Sequence, residues 1–299
     1  MKRIFTFIIA TLFVFSAGSL YAQKDTINPG HHAQVEHPSP ADAAPAEAIP
    51  NLAKAAANPI ANMISLPFQF NFNFGVGDYD RMQMVMNFQP VLPFKLNKTW
   101  NVITRTIIPV MKQPLNAETG NTWGVGNISF NTFFVPKVLG NGFFTYGFGP
   151  SLNIPTASAP ELGGDAFGIG PTIVFLFMPG DFVVGATGAA WWSYKAPHGA
   201  NGLNAMFAQM FATWNIKNGW FINSTPTFTA NFNAPDGEQW VIPAGGGFGK
   251  VQHFGKHYPP IKFMLQYYTN LVAPTGAAKG SLIFQMVYLF PHKPKSTGK

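Results

Sequence analysis

Between Phe68 and Pro90, large apolar side chains alternate with amides in the run FQFNFNFGVGDYDRMQMVMNFQP. Phe and Met hold every second position, and Gln or Asn holds most of the positions between them. Successive residues of a β-strand point to opposite faces of a sheet. The run therefore predicts two strands, joined at Gly75–Asp80, with one apolar face and one amide-rich face. The fold then depends on which medium meets each face.

The scarcity of charge indicates that the apolar face meets lipid. Charged residues make up 10% of the chain, against about a quarter in an ordinary soluble protein. The chain contains 30 Phe, yet after Phe15 no apolar run approaches the length of a membrane helix, which needs about 20 residues. A closed β-barrel is the other structure that satisfies every backbone group inside a bilayer.

The first residues predict export. Lys2 and Arg3 precede the apolar stretch 4–15, and small residues lead to Ala22. This order is typical of a cleaved signal peptide over residues 1–22; an uncleaved anchor helix is the alternative. Residues 23–50 are rich in Ala and Pro, which predicts a disordered linker. Its His31, His32 and His37 could bind a metal weakly, but we favour a solvated tail and predict no metal site.

The remainder divides into a short helical segment (51–64), a barrel (65–291) and a basic tail (292–299). Ala-rich residues favour the helix, and Pro59 should end or kink it. The helix is expected to lie at the mouth of the barrel or to plug it partly. Turn residues divide the barrel into about twelve strands, predicted at 65–76, 81–96, 100–112, 122–137, 142–156, 166–178, 182–196, 204–216, 220–233, 239–252, 260–272 and 281–291. The predicted fold class is all-β, a transmembrane antiparallel up-and-down barrel with a short N-terminal helix.

The connections between these strands fall into two classes. Odd-numbered connections hold most of the acidic residues, whereas even-numbered connections are tight and basic, with Asp181 as the exception. Transmembrane barrels have short periplasmic turns and longer outer loops. We therefore place the acidic connections on the outer side of the membrane and both termini on the periplasmic side. Aromatic residues near strand ends fit interfacial girdles: Trp100, Trp123, Trp191, Trp192, Trp220, Trp240, Tyr267 and Tyr268.

Several classes of function are disfavoured. The chain has no Cys, and its net charge of +7 is dispersed, so neither a thiolate site nor a nucleic-acid interface is expected. An outer-membrane lipid hydrolase would need His and Ser on the lipid face near the outer rim. Only His198, with Ser193 nearby in the sequence, approaches this pattern. We predict no catalytic residue, no enzyme activity and no cofactor.

If the apolar face meets lipid, the amide face lines the lumen. The candidate residues for a solute path are Arg105, Gln69, Asn71, Asn73, Gln83, Asn87, Gln89, Asn127, Asn131, Lys262 and Gln266. Arg105 has the parity opposite to that of its apolar neighbours. A charge facing the middle of the bilayer costs about 2–4 kcal/mol, so Arg105 should face inward. There it would either hold a packed lumen together or attract an anionic head group.

Six segments resemble one known family: LAKAAANPIANMISLPFQFNFNFG, NFQPVLPFKLNKTWNVITRTIIPV, GVGNISFNTFFVPK, GFGPSLNIPTA, GIGPTIVF and YLFP. They are similar to the outer-membrane family of the phenol-degradation meta pathway, whose members are labelled transporters and sometimes mislabelled neuromedin U. The resemblance extends from Leu52 to Pro291. It implies a Gram-negative outer-membrane barrel, and the name of the pathway implies uptake of aromatic or other hydrophobic molecules.

Together these observations predict a channel or transporter for small hydrophobic or amphiphilic solutes. Its expected partners are outer-membrane lipid, the solute and, during biogenesis, the barrel-assembly machinery. A structural barrel that transports nothing is the first alternative, and a lipid hydrolase is the second.

Overall fold

The structure, a computed structural model, describes residues 48–137, 143–193, 202–255 and 258–291. The predicted signal peptide, nearly all of the predicted linker and the tail lie outside these residues. The described elements are one helix, fifteen strand segments and two short 3-10 turns (Pro160–Leu162 and Lys217–Gly219). The helix is α1 (Ala48–Ala56), and the segments are β1 (Ile64–Val76), β2 (Arg81–Phe88), β3 (Val91–Lys95), β4 (Trp100–Pro114), β5 (Asn121–Val125), β6 (Ile128–Pro136), β7 (Phe144–Ile154), β8 (Gly168–Phe177), β9 (Phe182–Trp192), β10 (Asn204–Asn215), β11 (Trp220–Ser224), β12 (Thr227–Asn231), β13 (Trp240–Gln252), β14 (Ile261–Val272) and β15 (Gly280–Phe290).

The fifteen segments form twelve barrel strands, because three strands are interrupted. β2 and β3, β5 and β6, and β11 and β12 are each two halves of one strand. Pro90 and Pro226 lie in two of the interruptions, where the missing N–H leaves the ladder incomplete. Each strand pairs antiparallel with its neighbours in the chain.

The barrel closes between its first and last strands. β1 pairs with β15 in an unbroken register from Ile64 opposite Phe290 to Phe74 opposite Gly280. Closure leaves no unpaired sheet edge. The predicted fold class is confirmed, a closed antiparallel barrel of 12 strands with one short helix on its N-terminal side.

The two faces of the wall follow the two-residue period of the strands, most plainly in β8. Ile173, Phe175 and Phe177 point outward and are about half exposed, whereas Val174 and Leu176 point inward and are fully buried. Most large exposed apolar side chains of the other strands, such as Phe148, Trp214 and Phe248, likewise belong to the outer face. An exterior of this kind is typical of a wall that meets lipid. Among the described residues, no helix is long and apolar enough to cross a bilayer.

The helix lies inside one end of the barrel. Of the two predicted positions, at the mouth or as a partial plug, it occupies the second. We call residues 48–63 the plug and this end of the barrel the helix end. Ala53, Ile60 and Met63 are buried against inward-facing apolar side chains of the strands. The helix begins at Ala48 and ends at Ala56, so it starts earlier than the predicted segment 51–64 and covers only the first part of that segment. It stops three residues before Pro59, and the Asn58 side chain accepts a hydrogen bond from the Ile60 amide (2.9 Å) in the turn that follows.

The opposite end carries the acidic connections, and we call it the acidic end. Its connections contact one another. The Arg81 guanidinium donates to the carbonyl oxygens of Leu115 (3.2 Å) and Ala117 (3.1 Å). The Lys279 ammonium lies 2.6 Å from an Asp80 carboxylate oxygen. These contacts connect the segments that follow β1, β4 and β14.

A latch joins the connection after β12 to the connection after β14. Glu238 accepts hydrogen bonds from the Thr275 amide (2.5 Å) and the Thr275 hydroxyl (2.8 Å). The bond from the backbone amide, followed by that from the hydroxyl, lowers the pKa of Glu238 below its usual value. A lowered carboxyl pKa means that the latch is intact above the usual pKa and is lost as the pH falls through the folded-state pKa.

Acid should therefore open this latch. We expect the protection factor of the Thr275 amide, measured by hydrogen exchange and corrected for the intrinsic rate, to fall between about pH 6 and about pH 3. In Glu238→Gln the neutral amide cannot reproduce both bonds to the carboxylate, so protection should be low at both pH values. A pH-independent, high protection in the natural chain would contradict the expectation.

Candidate functional site

The amide row of β1 and β2 faces the interior of the barrel. Gln69, Asn71 and Asn73 point inward, and the four Phe residues between Phe68 and Phe74 point outward. The amides bond to one another: Gln69 donates to Asn71 (2.8 Å) and Asn73 donates to Gln83 (2.6 Å). Gln83 in turn donates to Gln113 on β4. The row is therefore a hydrogen-bonded layer on the wall, and its remaining donors and acceptors face the lumen.

This layer forms one wall of a cavity of about 970 Å³. The cavity reaches the acidic end, where Glu238 and Pro274 line it. Its polar lining is mostly neutral. The amides are Gln69, Asn71, Asn73, Gln83, Asn87, Gln89, Gln209, Asn231, Gln239, Gln266 and Asn270, and the hydroxyls are Ser129, Thr225, Thr227, Thr229, Tyr268 and Ser281.

An aromatic pair faces the amide layer across the lumen. Trp191 on β9 and Phe207 on β10 line the same cavity, with ring centroids 5.6 Å apart. In the order of twelve strands, β9 is the strand opposite β1. The Trp191 indole N–H donates to the Ser151 hydroxyl (2.7 Å), which fixes the ring. The cavity is thus two-sided, with the amide layer on one wall and, on the other, the aromatic pair beside Gln209 of β10.

Two aromatic residues that were predicted to lie in the interfacial girdles lie inside the barrel instead. Trp191 faces the lumen, and Tyr268 is buried inside, where its hydroxyl accepts a bond from the Thr225 amide (2.6 Å). Their neighbours Trp192 and Tyr267 are about half exposed on the outer face. The physical reason is the strand period, since adjacent residues of a strand cannot share a face. Applied to these two pairs, that rule could have identified the inward rings.

The lumen ends at an apolar floor, because apolar side chains and the plug fill it at the helix end. Inward-facing side chains there pack against the plug in two clusters: Val91, Ile103, Phe133, Val135, Val174, Leu176, Val183 and Phe211 in one, and Phe221, Val251, Met264, Val287 and Leu289 in the other. The sequence signal for this floor is the loss of the alternation between apolar and polar residues. In segments such as FFVP and IVFLF, the inward and the outward positions are both apolar. Lys54 fixes the plug by donating to the carbonyl oxygens of Met178 (3.0 Å) and Gly180 (2.8 Å).

A second, smaller cavity of about 120 Å³ lies between the amide layer and the plug. Arg105 and Lys262 both line it, and Arg105 lines the large cavity as well. Arg105 donates to the Gln89 side-chain oxygen (2.6 Å). Lys262 donates to the carbonyl oxygen of Ala56 in the plug (3.2 Å), and its ammonium lies 5.1 Å from the centre of the Phe221 ring. Both cations therefore face the lumen, as the sequence indicated for Arg105.

The remaining candidates for the solute path do not all line the cavities. Gln266 is buried at the cavity wall, where its side-chain oxygen accepts a bond from Thr225 (3.0 Å). Asn131 is buried against Ser151, whose hydroxyl bonds its side-chain oxygen (2.8 Å). Asn127 does not line either cavity. Its amide instead holds the connection after β7, through the Gly164 carbonyl (2.8 Å) and the Ala157 amide (3.1 Å).

Most of the residues considered for hydrolysis or metal binding lie outside the described part of the chain. His198 and the three linker histidines lie outside the described residues. The Ser193 hydroxyl accepts a bond from the Leu203 amide (2.5 Å). In residues 48–137, 143–193, 202–255 and 258–291, no group of three His, Asp or Glu side chains could hold a metal ion.

An apolar exterior, a closed wall and a polar lumen together define the class of transmembrane β-barrels. No family model matches the sequence, and no curated protein matches it. The fold is similar to that of the COG4313 outer membrane channel from Pseudomonas putida F1, with a TM-score of 0.56 at 13% identity over 76% of this chain and 94% of that one. Two further barrels show weaker likenesses. The NanC porin has a TM-score of 0.47 at 11% identity, over 76% of this chain and 100% of its own. The CymD monoaromatic hydrocarbon channel has a TM-score of 0.44 at 9% identity, over 84% of this chain and 94% of its own. The first of these likenesses shows a shared fold.

Proposed function

We propose that this chain is an outer-membrane channel that takes up small hydrophobic or amphiphilic solutes, including aromatic ones. In this proposal the acidic end faces outward, and the helix end and both termini face the periplasm. The observation that carries it is the two-sided cavity, which reaches the acidic end, presents amides opposite an aromatic pair and is separated from the plug by the small cavity.

The chemistry of the lining selects the class of solute. Amide and hydroxyl groups can donate to or accept from a polar substituent without imposing a fixed charge. The rings of Trp191 and Phe207 offer apolar surface to the rest of the molecule, and an aromatic contact adds about 0.5–1.5 kcal/mol beyond area burial. Such a lining suits a compact molecule with one polar and one apolar side.

Membership of the outer-membrane family of the phenol-degradation meta pathway is part of this proposal. It is supported by the six sequence segments and by the fold that the chain shares with an outer membrane channel. The competing idea is a structural barrel whose plug stays in place. It predicts neither binding nor flux of small solutes.

Solute binding and flux test the proposal, and two adjacent tryptophans provide matched variants. Trp191 faces the cavity and Trp192 faces outward. Trp191→Ala should weaken binding of benzyl alcohol by up to about tenfold, because an aromatic contact is lost, whereas Trp192→Ala should leave it unchanged. Calorimetry on the purified chain in nanodiscs measures binding, and swelling of proteoliposomes measures flux.

The outcomes separate the two ideas. Binding and flux that depend on Trp191 support a channel. A natural chain that neither binds benzyl alcohol nor admits it into proteoliposomes would leave the structural barrel as the better description.

A further inference from the structure

We propose that Arg105 and Lys262 form a carboxylate-binding site in the small cavity, between the large cavity and the plug, and that the preferred solute is an amphiphilic monoanion. The inference rests on the proposed function and narrows its substrate class. No Asp or Glu occurs in any described strand or in the plug, yet both of these cations point inward.

The two cations lack an ionic partner among the described residues. The ion pair found there joins Lys279 and Asp80 at the acidic end. Arg105 makes its described bond to a neutral amide oxygen, and Lys262 makes its bond to a carbonyl oxygen. A guanidinium has five N–H donors and an ammonium has three. Each cation therefore keeps donors for another acceptor, in a site where an uncompensated charge is costly.

The fold brings both side chains to the same small cavity. Arg105 lies on β4 and Lys262 on β14, and three barrel strands separate them around the wall: β2 with β3, β1 and β15. Both are long side chains, and both line the small cavity below the amide layer. An anion there would meet a guanidinium on one side and an ammonium on the other. Charge-assisted bonds of this kind are about twice as strong as neutral ones.

The surroundings favour a carboxylate attached to an apolar body. Gln69 and Gln89 line both cavities, so the small cavity adjoins the large one at the level of Arg105. A head group at the cations would leave the rest of the molecule in the large cavity, among Ile107, Ile283 and the aromatic pair. The small volume of about 120 Å³ favours a planar head group over a bulkier one.

Benzoate and benzamide are the paired probes, because they share a ring and differ in charge. Calorimetry on the full chain in nanodiscs should show benzoate binding at least about tenfold more tightly than benzamide. Arg105→Gln and Lys262→Gln should each lower benzoate affinity about tenfold and leave benzamide affinity unchanged. The double variant should bind benzoate and benzamide with equal affinity. Arg105→Lys should keep most of the preference for benzoate.

The matched control is Lys250, on the outer face of the wall. Its ammonium lies 5.3 Å from the centre of the Trp220 ring, much as Lys262 lies over Phe221. Lys250→Gln removes the same charge from the lipid side and should not change either affinity. Heat-modifiable gel migration of each variant establishes that it is folded.

Each other outcome overturns the site in a distinguishable way. Equal binding of benzoate and benzamide would reject the carboxylate site while the channel stands. A benzoate preference that survives in the double variant would reject these two residues. Tighter binding of phenylphosphonate than of benzoate would reject the carboxylate as the head group. Absence of binding and flux for both probes would remove the proposed function along with the site.

Discussion

Deletion of the plug, residues 48–63, should raise the single-channel conductance by about an order of magnitude. The large cavity already reaches the acidic end, and among the described residues the plug, with the strand side chains packed against it, fills the lumen at the helix end. Without it, the two ends would be joined by a lumen of the width that twelve strands allow, intermediate between a filled barrel and an open porin. Planar-bilayer recordings of the purified protein measure this directly.

A point variant distinguishes movement of the plug from its removal. Lys54→Gln loses the ammonium bonds to the carbonyl oxygens of Met178 and Gly180. We expect more frequent openings than in the natural chain, with the conductance of the deletion variant during each opening. Lys98, an exposed lysine in a turn at the same end, provides the control variant Lys98→Gln, which should behave as the natural chain does. Unchanged conductance in the deletion variant would show that the plug does not close the lumen.

A cation on the outer face should destabilise the barrel according to its depth. Ile173 and Phe177 lie on the same face of β8, at 56% and 52% exposure, but Ile173 is in the middle of the strand and Phe177 is its last residue. Ile173→Arg should lower the free energy of unfolding by about 2–4 kcal/mol, and Phe177→Arg by about 0–1 kcal/mol. Equilibrium denaturant unfolding in lipid vesicles gives both values.

The two variants introduce the same cation on the same strand and the same face, so each serves as the control for the other. A difference between them locates the middle of the bilayer near Ile173. Equal losses at the two positions would mean that the outer face of β8 does not cross a bilayer, and would favour a barrel whose apolar surface is covered by protein.

The strands and their faces were predictable because their signal is local. A two-residue period can be read within a single stretch, so the outward Phe row and the inward amides of β1 and β2 follow from the sequence. Arg105 was also predictable, because the cost of a charge in lipid assigns its face without any knowledge of its partners. The strand bounds differ from the predicted ones by a few residues at most.

The location of the plug was not predictable in the same way. Whether α1 lies at the mouth or inside depends on packing with residues far along the chain, such as Phe221 and Leu289. The position of Asn127 likewise depends on a connection that returns to it from Ala157 and Gly164. The meeting of Arg105 and Lys262 in one cavity required the order in which the strands close, which no local pattern contains.

The pairing of β1 with β15 makes closure of the barrel wait for its last strand. Gln69 lies opposite Gln285, more than two hundred residues away in sequence, and contacts of such separation form slowly. Until β15 is available, β1 has a free edge beside a row of Phe side chains, which is a template for aggregation. The incomplete barrel should therefore depend on chaperones, and truncation before β15 should yield an aggregating chain rather than a smaller barrel.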